Sequence, residues 1–201
     1  MTSDIDISLW QPAALSQDLP PATVIPTRCG AHEIALWRSA SGRIAAWQDR
    51  CPHRGMRLSH GFVRGEMLSC IYHGWRYDGS GTCRKIPAHP GLEPPTSIAV
   101  PTFSVAERDG VVWIAADPSA PEPPALPGDL HPLRSLPVER PAGDLGEGWP
   151  VALGEGLFAL IQPIDAGTSM VHALVSPDTD ARAASRRLEQ LRRTFEAEAA
   201  A

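Results

Sequence analysis

The sequence predicts a mainly β protein: an antiparallel β-sandwich or small barrel, then a Pro-rich extension, a C-terminal hairpin and one C-terminal helix. Three observations carry this expectation. Short apolar runs separated by turn residues recur through residues 1–117, as in antiparallel β domains. Nine prolines fall in residues 118–150, where a missing N–H works against helix and central strand alike. Beyond them come two strand-like runs and a charged segment with helical periodicity.

In chain order, 33–38 (EIALWR) and 43–48 (RIAAWQ) flank Ser39-Ala-Ser-Gly42, a hairpin signal. Strand-like runs follow at 66–71, 75–77, 82–86, 98–105 and 111–115, punctuated by Asp78-Gly-Ser-Gly81 and Asp109-Gly110. This gives a domain over 1–117. Residues 118–150 read as a Pro-rich linker. Within 151–201, the runs 157–162 and 168–175 bracket a turn and form the second hairpin. Residues 180–199 read as a helix with Thr179 or Asp180 as cap. Leu188, Leu191 and Phe195 form its apolar stripe, and Glu189 with Arg193 is an i,i+4 pair.

At 201 residues, with 43% hydrophobic and 20% charged residues, the chain can bury a proper core. The formal charge of -5 offers no basic field for nucleic acid. The opening residues MTSDIDIS lack a signal pattern, and no apolar run reaches the ~18 residues of a membrane span. The expectation is a cytoplasmic protein with no nucleic-acid or membrane partner.

In a reducing compartment, cysteine beside histidine reads as metal binding before disulfide. Residues 51–75 read CPHRGMRLSHGFVRGEMLSCIYHGW. Cys51-x-His53 is followed, sixteen residues on, by Cys70-x-x-His73. Zinc accepts two thiolates and two imidazoles in a tetrahedron, but its common modules place two cysteines together in one knuckle. One Cys and one His on each of two tips suits a [2Fe–2S] cluster whose two irons take different donors. Gly55 and Gly74 follow the tips, where the chain turns tightly. Pro52 stiffens the first tip, and Tyr72 and Trp75 can cover the second. Cys29 and Cys83 read as packed thiols.

Residues 51–88 resemble the Rieske motif of the Rieske non-haem iron (ring-hydroxylating type) oxygenases, at their α-subunit's N-terminal domain. The resemblance runs from Trp10 to the Val111-Val-Trp-Ile114 segment. It implies a Rieske-type fold and a Rieske [2Fe–2S] cluster held by Cys51, His53, Cys70 and His73. Rieske proteins of respiratory complexes carry an extra cysteine in each loop; Met56 and Tyr72 stand there, which favours the oxygenase and ferredoxin branch.

In that family the cluster serves a mononuclear iron held by two histidines and a carboxylate on a C-terminal domain. His32, His60, His89, His131 and His172 give no such pair, so no mononuclear iron is expected on this chain. The segment 157–199 resembles the late hairpin and helix of the family's catalytic domain, as a truncated remnant. The expected function is therefore single-electron transfer from a flavin or ferredoxin-type reductase to a mononuclear iron on an oxygenase catalytic subunit. Two alternatives stand beside it. One is a full oxygenase subunit acting on aromatic or N-/O-methyl substrates, its iron built from scattered residues such as His131, His172 and Asp165. The other is a non-functional remnant.

Overall fold

The computed structural model describes residues 10–29, 31–117, 122–146 and 149–199. The opening MTSDIDIS and the Cys29 side chain lie outside the described part. In chain order the strands are β1 (Gln11–Leu15), β2 (Thr23–Cys29), β3 (His32–Arg38), β4 (Ile44–Gln48), β5 (Phe62–Arg64), β6 (Met67–Ser69), β7 (Arg76–Asp78), β8 (Cys83–Lys85), β9 (Thr102–Arg108), β10 (Val111–Ala115), β11 (His131–Val138), β12 (Val151–Gly154), β13 (Leu157–Pro163) and β14 (Ser169–Val175), followed by helix α1 (Ala181–Ala199). Every strand pairing is antiparallel.

They form three sheets. The largest runs β1-β10-β9-β4-β3-β2. Its two edges approach, and the Thr27 hydroxyl on β2 donates to the Ala13 carbonyl on β1 at 3.3 Å, so the sheet is nearly closed. A small sheet, β5-β6-β7-β8, carries the second half of the Cys/His motif. The third sheet runs β11-β14-β13-β12.

Alternation of side chains explains the layering. On β3, Ala35 and Trp37 face the small sheet, while Ile34 and Leu36 face the barrel interior. On β10, Val112 and Ile114 point into the barrel, and Val111 and Trp113 pack on Leu160 and Leu174 of the third sheet. Both faces of these strands are covered, which is why they read as nearly continuous apolar runs. Trp37 and Trp47 meet edge to face at 4.9 Å, and Trp47 meets Tyr77 at 6.3 Å. This aromatic core sits directly beneath the motif.

The mainly β reading holds, as do the C-terminal hairpin and helix. Asp180 caps α1, its carboxylate accepting from the Arg182 N–H at 2.9 Å. Leu188 is buried against β11 and β14, with Leu191 and Phe195 beside it; burying one leucine so stabilises by about 1.5–3 kcal/mol. The reading of 118–150 as linker differs from the structure. Within it, 131–138 is strand β11, paired with β14 along its length. Pro132 and Pro137 are tolerated because β11 is an edge strand, and the pairing shifts register just after Pro132.

Candidate metal centre

The four motif residues sit on two turns of the same construction. In the first, the Cys51 N–H donates to the Met56 carbonyl at 2.8 Å and the Gly55 N–H to the Cys51 carbonyl at 2.8 Å. In the second, the Cys70 N–H donates to the Trp75 carbonyl at 2.9 Å and the Gly74 N–H to the Cys70 carbonyl at 3.0 Å. Both turns close through glycine at φ +69° (Gly55) and +68° (Gly74), a left-handed conformation that costs other residues roughly 1–2 kcal/mol. The spacing of glycine four residues after each cysteine is thus a backbone requirement.

These turns place the donors in two pairs. Cys51 and Cys70 are 3% and 2% exposed, and Cys51 stands close enough to help push the Cys70 thiol up. His53 and His73 lie outward, ring centroids 4.6 Å apart, His53 half-buried and His73 exposed. Among the described residues no three Cys, His, Asp or Glu side chains converge to hold one ion. Two separate pairs, soft donors inside and imidazoles outside, do not suit a single tetrahedral zinc. They fit a binuclear cluster with one thiolate-bound and one imidazole-bound iron.

The surroundings suit a negatively charged sulfur centre. Burial pushes the Cys70 thiol up, while the backbone N–H groups of Tyr72 and His73, aimed at its sulfur, pull the other way. The Tyr77 hydroxyl lies 3.0 Å from Cys51 Sγ. Burial, and then that contact with Cys51, hold the phenol far above its usual range, so it stays protonated and is placed to donate to sulfur once Cys51 is a thiolate. On the outer side, Trp75 stacks on His53 at 4.3 Å with planes 5° apart, so it covers the imidazole of the other turn. Tyr72 lies against His73 and is 54% exposed. Burial, with the neighbouring His73 and Arg54, lowers the His53 pKa.

The first turn is braced from β3. Glu33 accepts from Arg50 at 2.9 Å and pairs with Arg57, so one carboxylate ties both arginines flanking the turn. Asp49, buried, accepts the Ser59 N–H and hydroxyl at 2.7 and 2.6 Å. The partner of Arg57 lies 24 positions earlier, with no local sequence signal to announce it. Tyr77 was likewise legible only as a strand residue. Cys83 is buried in the same core, as a packed thiol.

The scattered residues offered for a second iron do not meet. His131 opens β11 opposite Val175, the last residue of β14. Asp165 lies in the turn before β14, about 20 Å away by strand rise. His172 is buried, its Nε2 3.1 Å from Gln162 Oε1 and its Nδ1 2.9 Å from Ser135 Oγ.

Comparison with known proteins agrees with this geometry. Residues 9–104 match the family described as Rieske [2Fe-2S] domain. The chain therefore carries a Rieske [2Fe–2S] domain, and proteins it resembles are subunits of Rieske oxygenases. It is 40% identical over 128 residues to Oxidoreductase NdmD of Pseudomonas putida, covering 63% of this chain and 22% of that protein. It is 46% identical over 116 residues to Methylxanthine N1-demethylase NdmA of the same organism, covering 55% and 32%. The chain thus spans between about a fifth and a third of the length of these relatives. A crystal structure of dicamba monooxygenase superposes with TM-score 0.77 at 20% identity, covering 97% of this chain and 87% of that one. That likeness concerns the fold, and it includes the third sheet and α1.

Two expectations arise from these groups. Tyr77→Phe removes the donor to Cys51. The added electron makes sulfur a better acceptor, so the lost bond stabilises the reduced state most. A difference of about 1 kcal/mol lowers a one-electron midpoint by about 40 mV. Spectroelectrochemical titration of both proteins checks it.

His172 concerns stability. Burial lowers its pKa from 6.5 to about 4. Above pH 6.5 the ring is neutral in both folded and unfolded chains. Between pH 6.5 and 4 only the unfolded chain takes the proton, so stability is lost as pH falls, by about 3 kcal/mol in all. His172→Gln is expected to flatten this slope, read as the difference between the two proteins' urea midpoints across pH 4–7.

Proposed function

We propose that this chain is the electron-transfer part of an oxygenase system. Cys51 and Cys70 would hold one iron of the cluster, and His53 and His73 the other. A [2Fe–2S] cluster supplies reversible one-electron chemistry when bound. The observation carrying the proposal is the division of the site: thiols closed from water on an aromatic core, imidazoles turned outward.

Each residue then has a physical task. Tyr77 and the N–H groups of Tyr72 and His73 hold donors toward sulfur, favouring extra negative charge there. Trp75 fixes the plane of His53, and Glu33 with Asp49 fixes the turn that carries it. His73 and Tyr72 present an accessible edge where a partner protein can approach. The chain would accept one electron at a time from a flavin or ferredoxin-type reductase. It would deliver it to a mononuclear non-haem iron on an oxygenase catalytic subunit, within the cytoplasm. Residues 151–201, with β11, represent the outer part of an oxygenase catalytic fold without that iron's ligands.

The test is complementation. A catalytic oxygenase subunit whose own Rieske ligands are substituted is mixed with a reductase, with and without this chain. Product formation that depends on this chain supports the proposal. Turnover by the chain and reductase alone, on an aromatic or N-/O-methyl substrate, sinks it in favour of a complete oxygenase.

A further inference from the structure

Charge is distributed unevenly along this chain. Residues 50–85, which form the two turns and the small sheet, hold seven of its 18 Lys and Arg but only two of its 23 Asp and Glu. That region carries +5 in a chain of formal charge -5, which leaves -10 on the remainder. Its two acids are matched, Asp78 by Arg84 and Glu66 by Arg43, while Arg50 and Arg57 share Glu33. Among the described residues no carboxylate meets Arg54, Arg64, Arg76 or Lys85. Glu93, exposed in the loop after β8, offsets one of these four charges.

Register gathers the cations on one face. Val63, Leu68, Tyr77 and Cys83 pair across the small sheet and are buried in the core. The alternate residues lie on the opposite face: Phe62, Ser69, Arg76 and Lys85 form one row, and Arg64 lies in the next. Ser69 and Arg76 flank the second turn, so that row borders it. The loop after β8 also lies against the turn, since a Cβ on Gly74 would stand 3.1 Å from Pro87 Cγ. Arg54 stands on the first turn beside His53. Between these charges Ile71, Tyr72 and Phe62 are 57%, 54% and 41% exposed. An apolar centre rimmed by unpaired charge has the form of a protein interface.

We propose that this face docks an acidic protein electron donor, Arg54, Arg64, Arg76 and Lys85 meeting its carboxylates around Ile71, Tyr72 and Phe62. The inference rests on the electron-transfer reading above and adds the chemistry of the partner. Unpaired cations steer an acidic surface toward the cluster and quicken encounter. The -10 on the rest of the chain repels an extended polyanion, so the match is to a compact protein. A donor of single electrons must arrive and leave for each one, which suits contacts made largely by screened surface charge.

The test uses the fact that Lys85 is the only lysine in the chain. The reconstituted chain is mixed with an acidic plant-type ferredoxin whose carboxylates have been activated with carbodiimide. A docked carboxylate then forms an amide with the lysine amine, located by peptide mapping. A cross-link at Lys85 is expected, its yield falling at least about fivefold between about 20 and 300 mM salt. Arg64→Glu with Arg76→Glu, which keeps Lys85, should cut the low-salt yield by a similar factor. Absence of the Lys85 cross-link, or a yield insensitive to salt or to charge reversal, would overturn the proposal; the salt series on the unaltered chain decides even if the variant folds poorly. A cross-link formed only with an oxygenase catalytic subunit would move the face to the electron acceptor and overturn the donor assignment. Photoreduction by deazariboflavin, which needs no docking face, separates the two readings. A cluster that is reduced while Lys85 stays unlinked overturns the docking face alone; one that takes no electron overturns the electron-transfer reading and the donor with it.

Discussion

Cys70→Ser is expected to leave a folded chain with almost no cluster iron or sulfide. Cys70 is 2% exposed, its sulfur facing the Tyr72 and His73 N–H groups and the neighbouring Cys51. A serine hydroxyl is a harder donor and does not ionise near neutral pH, so the inner iron would lose half of its soft ligands. The β scaffold should survive, because Trp37, Trp47, Leu68 and Tyr77 pack the core beneath without help from metal. Iron and sulfide analysis beside a far-ultraviolet circular dichroism spectrum separates cluster loss from unfolding. Retention of full iron content would remove Cys70 from the ligand set.

Replacing both imidazoles by thiolates, in His53→Cys with His73→Cys, is expected to keep a cluster but lower its potential by several hundred millivolts. Two neutral donors become two anionic ones, and added negative charge opposes the incoming electron. Rieske centres span roughly −150 to +300 mV, whereas all-cysteine plant-type centres lie near −400 mV. The outward placement of both rings, 4.6 Å apart, leaves room for the shorter side chains. A midpoint unchanged by the double substitution would mean that these histidines do not bind iron.

The motif was legible because its chemistry is local. Each turn needs a donor pair and a left-handed glycine within five residues, and both needs are written in adjacent letters. The barrel's central strands were legible for a similar reason, since β3, β4 and β10 are apolar on both faces. Three of the strands missed by sequence reasoning share one cause. β1, β2 and β11 contain Pro12, Pro26, and Pro132 with Pro137, and all three are edge strands. An edge strand leaves alternate N–H groups unpaired, so proline there loses no ladder bond. Whether a strand lies at an edge is a property of the assembled sheet, which no short window of sequence carries.

Long-range polar contacts were hidden for the same reason. Glu33 bracing Arg50 and Arg57, Tyr77 against the Cys51 sulfur, and Gln162 bridging to Thr27 and Arg28 each join residues far apart in the chain. Their residue types are ordinary, and only the fold gives them partners.

The charge environment has a further consequence for the site. Arg50 and Arg57 share the single carboxylate of Glu33, which leaves the first turn with a net positive balance. Positive charge near the cluster works with the Tyr77 and backbone donors in favour of the reduced state. These groups are partly exposed, so solvent screens much of their effect, and the buried donors set the larger share.

The most direct measurement is a count of iron, acid-labile sulfide and reducing equivalents in the reconstituted chain. Two irons, two sulfides and one electron per chain, with a midpoint inside roughly −150 to +300 mV, are the results predicted for a Rieske electron-transfer chain. A stoichiometric third iron accompanied by turnover without a partner, or zinc in place of iron and sulfide, would contradict it.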